Sequence, residues 1–564
     1  MMQSCRKCFQ TFEIGEDDVR FLDKLSPTIG NTKLELPPPT VCPDCRMQRR
    51  LSFRNERFLY SRKCDKCGSD IISIYHPESP LTVYCPTCWW GDEWDGLHYG
   101  REIDFNRPVF EQMMEIKKEI PHLSLVSSPE ALEYNCKYVS FAGNNKNCYL
   151  IFDSDYNEDS YFSNVLKHSK NCIDCSYVNN SELCYQCIDG DNCYNLQYSE
   201  NCTNCRDSKF LKNCIGCSDC FMCCNLTRKQ YYFKNKPLTK EEYIRKLQEY
   251  NMYQTSVVQK LHTEYRTFIL KFPRKYGYIT NAENSTGDVM YDTKNAFQSY
   301  NIADCEDVRY CDSLYAARDC MDVSSFGEKI EMVYESGTAG LNSYGLRFCF
   351  ACVFNCSDIL YGIECRQSKN LFACVGLKRQ QYCILNKPYT KEEYESLVLR
   401  LMEHMKQTGD WGEYFSSEMS AFGYNETVAQ EYFPLKKEDA LQQGFYWSDY
   451  EAPKREMQKV IPASKLPDDT SRIPDDILNW ALLCEVTGKP FVLTKQELSF
   501  YRDNHIPIPH KHPDQRHKER MALRNPRKLW KRTCMNCQKE IETTYSPERL
   551  EIVYCEECYL KEVY

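Results

Sequence analysis

The sequence lacks any apolar run of about 20 residues, so no segment is expected to cross a membrane as a helix. It also lacks a recognisable signal peptide, although 36 of its 564 residues are cysteine. Cysteines in a reducing compartment stay free and serve as metal ligands or small buried side chains. We therefore expect a cytoplasmic protein of several domains, without a membrane partner.

Enzyme signatures are missing as well. The chain has no Walker loop, no H-E-x-x-H helix, no G-x-S-x-G turn and no convincing dinucleotide fingerprint. The segment "GTAGLNSYG" at 337–345 contains glycines but not the Lys-Ser/Thr that a phosphate loop needs. We expect a non-enzymatic protein and assign no catalytic residue.

What the sequence does have is two ends that are alike. Residues 42–88 align without a gap with residues 512–558, and 19 of the 47 positions are identical. Both copies contain C-x2-C, seventeen residues and C-x2-C, with β-rich segments between, a pattern that suits four thiolates around tetrahedral Zn²⁺. The predicted ligands are Cys64, Cys67, Cys85 and Cys88 in the first copy, and Cys534, Cys537, Cys555 and Cys558 in the second.

A further cysteine set precedes the first ribbon and consists of Cys5, Cys8, Cys42 and Cys45. In the second copy Cys484 is kept, but Thr487, His512 and Gln515 replace the other three. Because the ribbon quartet survives this loss as a complete set, the pairing is predicted to be sequential and not cross-braced. The sequence therefore predicts three zinc ions and one degenerate site.

Arginines recur in register between the metal-binding pairs. They are Arg46, Arg50, Arg54 and Arg57 in one copy, and Arg516, Arg520, Arg524 and Arg527 in the other. The spacing favours one face of a helix. The net charge of residues 42–68 is +5 and that of residues 510–540 is +7, although the net charge of the whole chain is −9.

The functional hypothesis is that these arginines contact phosphates, so that the basic ends bind nucleic acid or a ribonucleoprotein such as the ribosome. The alternative is that the arginines pair with acidic partners or with the acidic middle of this chain. The middle would then be a docking surface in a protein–protein scaffold.

The middle is rich in cysteine, with fourteen in residues 136–224. Cys172, Cys193 and Cys214 are 21 residues apart, so we predict a repeat of about 20 residues and a parallel β-solenoid with thiols stacked inside. A second half follows, since 226–243 matches 377–394. There Ser368 and Leu371 replace Cys217 and Cys220, which favours packing over chemistry for most of these cysteines.

One run in the first half permits another interpretation. Cys214, Cys217, Cys220 and Cys224 have the C-x2-C-x2-C-x3-C spacing of bacterial iron–sulfur sites, although Asn225 stands where a proline is expected. An iron–sulfur or redox protein is therefore a second alternative.

Each half ends in a helix that begins with a capping box, at Thr239 to Glu242 and at Thr390 to Glu393. The predicted fold is mainly β with helices, a duplicated Cys-rich parallel β-solenoid flanked by zinc-ribbon modules. The predicted segments are a double zinc-ribbon module (1–94), a helical connector (95–130), a first solenoid half (131–238), a helical connector (239–280), a second solenoid half (281–389), a helix and linker region (390–473) and a zinc-ribbon module with one degenerate site (474–564).

Four phrases of the sequence are distinctive: "LPPPTVCPDCRMQRRLSFRNERFLY", "YCPTCWWGDEWDGLHYGREIDF", "FGYNETVAQEYFPL" and "HPDQRHKERMALRNPRKLW". These phrases resemble an uncharacterised family of zinc-ribbon proteins from candidate-phyla bacteria with small genomes. The resemblance extends over the full chain. It implies no activity, substrate or catalytic residue.

Overall fold

The structure, a computed structural model, describes residues 1–126, 133–453 and 459–563. Strands predominate, twelve α-helices are present among the described residues, and the predicted parallel β-solenoid is confirmed. The predicted boundary at 130/131 and part of the predicted linker, residues 454–458, lie outside the described residues.

The N-terminal module and its connector precede the first solenoid. Their elements are β1 (Met2–Ser4), β2 (Thr11–Glu13), α1 (Glu16–Leu25), β3 (Thr28–Ile29), β4 (Thr32–Lys33), α2 (Pro43–Leu51), β5 (Tyr60–Lys63), β6 (Asp70–Ser73), β7 (Val83–Tyr84), α3 (Pro86–Trp90), α4 (Val109–Glu119) and β8 (His122–Leu123).

The first solenoid follows, with two helices and a short strand after it. It comprises β9 (Ser140–Gly143), β10 (Phe152–Asp155), β11 (Asn164–Lys167), β12 (Ser176–Asn179), β13 (Ile188–Asp191), β14 (Tyr194–Gln197), β15 (Glu200–Thr203), β16 (Arg206–Lys212), β17 (Ser218–Cys224), β18 (Gln230–Phe233) and β19 (Lys236–Pro237). Next come α5 (Lys240–Gln248), α6 (Thr255–Ile269) and β20 (Arg274–Lys275).

The second solenoid and the C-terminal part complete the chain. The solenoid comprises β21 (Ile279–Glu283), β22 (Gly287–Phe297), β23 (Ser299–Arg309), β24 (Asp312–Gly337), β25 (Tyr344–Arg347), β26 (Ser357–Leu360), β27 (Lys369–Phe372), β28 (Gln381–Ile384) and β29 (Lys387–Pro388). Then follow α7 (Lys391–Thr408), α8 (Val428–Tyr432), α9 (Lys437–Gln442), β30 (Lys459–Pro462), β31 (Trp480–Leu483), β32 (Pro490–Phe491), α10 (Lys495–Asp503), α11 (Pro513–Met521), β33 (Trp530–Thr533), β34 (Glu540–Thr543), β35 (Val553–Tyr554) and α12 (Glu556–Val563).

The solenoids are built from tripeptides. From Asn135 to Lys234 every third residue has a positive φ and forms a corner. The residue after each corner points inward and the next points outward, so that one turn has four three-residue sides. Asn and Asp are frequent at these corners because they tolerate the left-handed region better than most residues.

The turn is twelve residues long, not about 20. Strands pair in parallel with a shift of twelve, as in Ser176 with Ile188 and Lys209 with Phe221. The 21-residue spacing between cysteines equals seven tripeptides. Cysteines at this spacing therefore all point inward, but 21 residues do not correspond to one turn. In part of the second solenoid the shift is thirteen, as in Glu331 with Tyr344.

The interior favours cysteine, serine and asparagine for a hydrogen-bonding reason. Outward and corner N–H groups donate to carbonyls of neighbouring turns, but the inward N–H group meets the inward side chain of the preceding turn. Cys175 N donates to Ser163 Oγ at 3.1 Å, and Cys217 N donates to Cys205 Sγ at 3.4 Å. The same side chains donate to the carbonyl two residues earlier, as Ser163 does to Tyr161 at 3.0 Å. Cysteine thus fills the narrow interior and satisfies the backbone.

Each end module packs on the solenoid that is farther from it along the chain. The N-terminal module packs on the second solenoid, where Leu25 and Phe53 share a core with Tyr361. The C-terminal part packs on the first, where Tyr501 and Ile506 share a core with Tyr185. Both predicted capping boxes, at Thr239 and Thr390, are present and begin α5 and α7.

We predict that Ser163→Ala destabilises the first solenoid by about 1–3 kcal/mol, because the buried N–H of Cys175 loses its acceptor. Ser163→Cys should cost clearly less, since a thiol fills the same role at Cys205. Urea unfolding of both variants measures the difference. Equal losses would show that the inward side chains only fill space.

Candidate metal centres and arginine rows

Three groups of four thiols come together among the described residues, and in each group the sulfur atoms lie within 4.8 Å of one another. The groups are Cys5, Cys8, Cys42 and Cys45; Cys64, Cys67, Cys85 and Cys88; and Cys534, Cys537, Cys555 and Cys558. These are the sequential groupings predicted from the second copy. Each group could hold a metal ion.

Tight turns and helix N-termini build these groups. In the first, Cys5 and Cys8 lie in the turn between β1 and β2, while Cys42 is the N-cap of α2. The N–H groups of Cys8 and Cys42 donate to Cys5 Sγ at 3.5 and 3.3 Å. Backbone donors of this kind stabilise a sulfur that carries negative charge.

The two ribbon groups repeat one design. Cys85 is the N-cap of α3, and its own N–H donates to Cys64 Sγ at 3.2 Å. Facing sulfurs are 4.0 Å apart between Cys67 and Cys85, and 3.7 Å apart between Cys537 and Cys555. In the first group the Cys8 and Cys42 sulfurs are also 3.7 Å apart. Thiolates about 2.3 Å from a tetrahedral zinc ion would be about 3.8 Å apart.

In the C-terminal module, the residues equivalent to the first thiol group make hydrogen bonds and do not form a tetrad. Thr487 N donates to Cys484 Sγ at 3.5 Å, and His512 Nδ1 accepts from Asp514 N at 3.1 Å as the cap of α11. No fourth tetrad is found in the described part of the chain. The C-terminal module therefore keeps one group where the N-terminal module has two.

The N-terminal row is the set of arginines Arg46, Arg50, Arg54 and Arg57, and its first two members pair with the same carboxylate. Arg46 Nη2 lies 2.8 Å from Asp322 Oδ2, and Arg50 Nη1 lies 3.3 Å from Asp322 Oδ1. All three side chains are at most 2% exposed. Burial alone would lower the pKa of Arg46, but the charge and hydrogen bond of Asp322, together with nearby Tyr334 and Glu335, outweigh burial and raise it. Arg50 Nε also donates to Ser324 Oγ at 3.2 Å.

The C-terminal row repeats this arrangement on the other solenoid. Arg516 pairs with Asp174, and Arg520 Nη1 lies 2.8 Å from the second oxygen of the same carboxylate. Arg520 Nε reaches Ser176 Oγ at 3.4 Å. Burial lowers the pKa of Arg520, and the positive charges of Arg516 and Arg57 add to this effect although Asp174 opposes it. The pKa of Arg516 is raised, because Asp174 and other nearby groups outweigh its burial.

The outer arginines of each row reach the opposite solenoid. Arg54 lies 3.4 Å from Asp153 of the first solenoid and also donates to Thr338 Oγ1 of the second at 3.1 Å. Arg524 Nη2 contacts Asp189 of the first solenoid at 3.0 Å and Asn301 of the second at 2.7 Å.

The last arginine of each row also contacts the opposite solenoid. Arg57 lies over the ring of Phe152 in the first solenoid, 4.6 Å from its centre. Arg527 Nε lies 2.7 Å from Asp312 of the second solenoid. Each row thus starts on one solenoid and ends on the other.

The predicted single helical face is only half correct. Helix α2 ends at Leu51 and α11 ends at Met521, so Arg54, Arg57, Arg524 and Arg527 lie beyond the helices. None of the eight side chains is more than 9% exposed. Pairing with this chain's own middle, the alternative left open by the sequence, is what these ion pairs show. Nucleic-acid contact through the same arginines stays an untested prediction.

The carboxylates that receive the arginines were not singled out from the sequence. Their signal is a repeated Asp-x-Ser, at Asp174 with Ser176 and at Asp322 with Ser324. In both places Asp is a corner residue with positive φ, and the serine follows on the outward position of the next side.

The iron–sulfur alternative lacks a geometric basis. Cys214, Cys217 and Cys220 are inward, but Cys224 is on an outward position, where Arg274 Nη1 donates to its sulfur at 3.3 Å. The four sulfurs do not form one of the metal-compatible groups of the described residues.

Comparisons with known proteins add little. No family model matches the chain, and no curated protein matches it. Among solved structures, a putative acetyltransferase from Desulfovibrio desulfuricans G20 is similar at 8% identity over 50% of this chain and 83% of that chain, with a TM-score of 0.10. A likeness at this level carries no argument. Within the described residues, no helix combines the length and apolarity needed to cross a membrane.

We predict that Asp174→Asn or Asp322→Asn destabilises the protein by about 3–5 kcal/mol, because each leaves two buried guanidinium groups without a carboxylate. Asp70→Asn is the matched control, since Asp70 pairs with Lys63 in solvent and should contribute less than about 1 kcal/mol. Urea unfolding gives the comparison. Similar small losses for all three variants would contradict the role of the buried pairs.

Proposed function

We propose that this protein is a non-enzymatic, zinc-braced scaffold, in which the end modules lock two β-solenoids into one body and the free solenoid faces dock a protein partner. The observation that carries the proposal is the inward direction of both arginine rows. The guanidinium groups that would have to lie on the surface to bind nucleic acid are instead paired with carboxylates of this chain.

Zinc is the metal that fits the three thiol groups. Four thiolates at tetrahedral spacing, with no open ligand position, are typical of structural Zn²⁺ sites. Cys42 begins the helix that carries Arg46 and Arg50, so a metal held there fixes the start of the arginine row. When bound, zinc would supply structural cross-linking and no reaction chemistry.

The exposed face of each solenoid supports the docking role. On the first, Lys146, Glu158 and Lys170 alternate in charge at twelve-residue steps, with Lys146 and Lys170 at 2.8 and 3.3 Å from Glu158. On the second, Arg318 and Glu306 pair in the same way. Such columns are rigid, solvent-facing and of mixed charge, which suits a protein partner better than a polyanion.

Charge reversal of the arginines does not test the nucleic-acid hypothesis. Its natural experiment, reversal of Arg50, Arg54, Arg520 and Arg524 to Glu, would place acidic groups beside buried carboxylates and unfold the protein. Loss of binding in that variant would therefore not identify a nucleic-acid surface.

We expect the purified protein to contain three zinc ions by elemental analysis, one for each tetrad. Cys537→Ser should remove one of them, while Cys484→Ser, at the degenerate position, should remove none. Chelation should separate the modules from the solenoids and increase proteolysis of both. Iron in place of zinc, or a fourth ion lost with Cys484, would contradict the assignment.

A gel shift at physiological salt separates scaffold from nucleic-acid binder. The scaffold proposal predicts that the zinc-loaded protein retains neither RNA nor DNA, because its arginines are paired internally. After chelation, the released arginines should retain both, with strong salt dependence. Steeply salt-dependent retention by the intact zinc-loaded protein would overturn the proposal.

A further inference from the structure

One outward column of the first solenoid carries a charge pattern that is complementary to its own reverse. Outward residues of six successive turns pair in parallel along it, each with the residue twelve positions later. In chain order the column consists of Tyr134, Lys146, Glu158, Lys170, Glu182 and Tyr194. Its order is aromatic, positive, negative, positive, negative, aromatic, so reversing the column exchanges every positive position for a negative one.

This column faces solvent. Tyr134 is 69% exposed and Tyr194 is 44% exposed. Lys146 and Lys170 are exposed on either side of Glu158 and lie 2.8 and 3.3 Å from its carboxylate oxygens. The side chains are therefore both ordered by their neighbours and available to a partner.

Two copies of such a column can face each other with their solenoid axes parallel or antiparallel. The parallel arrangement places lysine against lysine and glutamate against glutamate, which is repulsive. The antiparallel arrangement places Lys146 opposite Glu182 of the second copy, and Glu158 opposite Lys170 of the second copy. The tyrosines at the two ends then also face each other. A single two-fold axis, between the turns of Glu158 and Lys170, generates all these pairs and gives a closed dimer.

The corner column beside it fits the same axis. Tyr156 and His168 are the corner positions two residues before Glu158 and Lys170, so they belong to the two central turns. Their rings are stacked with centres 4.9 Å apart and planes 6° apart, and Tyr156 is 57% exposed. The axis places Tyr156 opposite His168 of the second copy. An exposed aromatic pair at the centre of the contact supplies the apolar area that the charged pairs lack.

We infer that the first solenoid docks antiparallel on the first solenoid of a second copy of this chain, through the column from Tyr134 to Tyr194. The inference rests on the proposed scaffold role and names the protein partner for one of its free faces. With two lysines and two glutamates the column is neutral, in a chain of net charge −9, so the contact avoids the repulsion between two acidic surfaces.

The size of the face sets the strength of the dimer. Six turns spaced by about 4.8 Å give a contact about 25 Å long and one solenoid side wide, which is smaller than a standard protein interface. The dimer is therefore expected to be weak and to form at high micromolar protein concentration.

The second solenoid supplies a matched control. Its Arg318 pairs with Glu306 on an outward column, and the two side chains are 56% and 37% exposed. The corresponding values for Lys146 and Glu158 are 54% and 34%. Arg318→Glu therefore disrupts an equivalent exposed ion pair outside the proposed contact.

Sedimentation equilibrium of the zinc-loaded full chain tests the inference. The wild type and Arg318→Glu should approach the mass of a dimer as concentration rises, and salt should weaken this association. Lys146→Glu or Glu182→Lys alone places like charges opposite each other at two symmetric positions and should weaken association by at least about tenfold. The double variant Lys146→Glu/Glu182→Lys restores opposite charges across the axis and should recover most of the wild-type affinity.

Three results would overturn the inference: a wild type that stays monomeric, single variants that associate as well as the wild type, or a double variant that does not recover. Growth beyond a dimer would also contradict it, since it indicates a head-to-tail contact. Failure here is distinguishable from failure of the scaffold proposal, because the latter is judged by nucleic-acid retention in the gel shift and not by mass.

Discussion

The structure depends on a small number of buried carboxylates that receive arginines from far along the chain. Asp322 and Asp174 each bind two guanidinium groups away from water. Desolvating such charges is costly and is offset only when the partners meet in good geometry. The pairing therefore contributes more to the choice of one arrangement than to net stability, because any other docking would strand several charges.

The solenoid makes this geometry possible. Its tripeptide repeat fixes a corner every three residues, so that an aspartate at a corner and a serine two residues later are held rigidly in place. Where the inward residue of a turn is Ser, Cys or Asn, its side chain also accepts from the inward N–H group of the next turn. The platform is rigid without a thick hydrophobic core, and the modules supply the long-range contacts that a stack of turns lacks.

Some of this could be predicted from the sequence. Four cysteines in spaced pairs define a metal site almost regardless of context, and comparison of the two copies gave the sequential pairing. Thr239 and Thr390 gave both helix starts, because a capping box is a local interaction. The turn length could not be read from cysteine spacing, since Cys172 and Cys193 share only an inward position and not a place in the turn.

The partners of the arginine rows could not be predicted from residue spacing. A spacing of four residues says that Arg46 and Arg50 share a face, but not whether solvent, nucleic acid or a carboxylate lies opposite. Their common partner, Asp322, is more than 270 residues away in sequence from both arginines. Only the fold brings them together, although the repeated Asp-x-Ser was a signal available in the chain.

The most direct test is the distance between the two solenoids. Spin labels carried by non-natural amino acids at Tyr194 and Tyr315, which are exposed on the first and second solenoid, leave every cysteine intact. Pulsed dipolar spectroscopy should give one narrow distance distribution in the zinc-loaded protein. In Arg54→Gln/Arg524→Gln protein, which lacks the two arginines that each contact both solenoids, the distribution should broaden. An equally narrow distribution in that variant would contradict the account that the arginine rows hold the solenoids together.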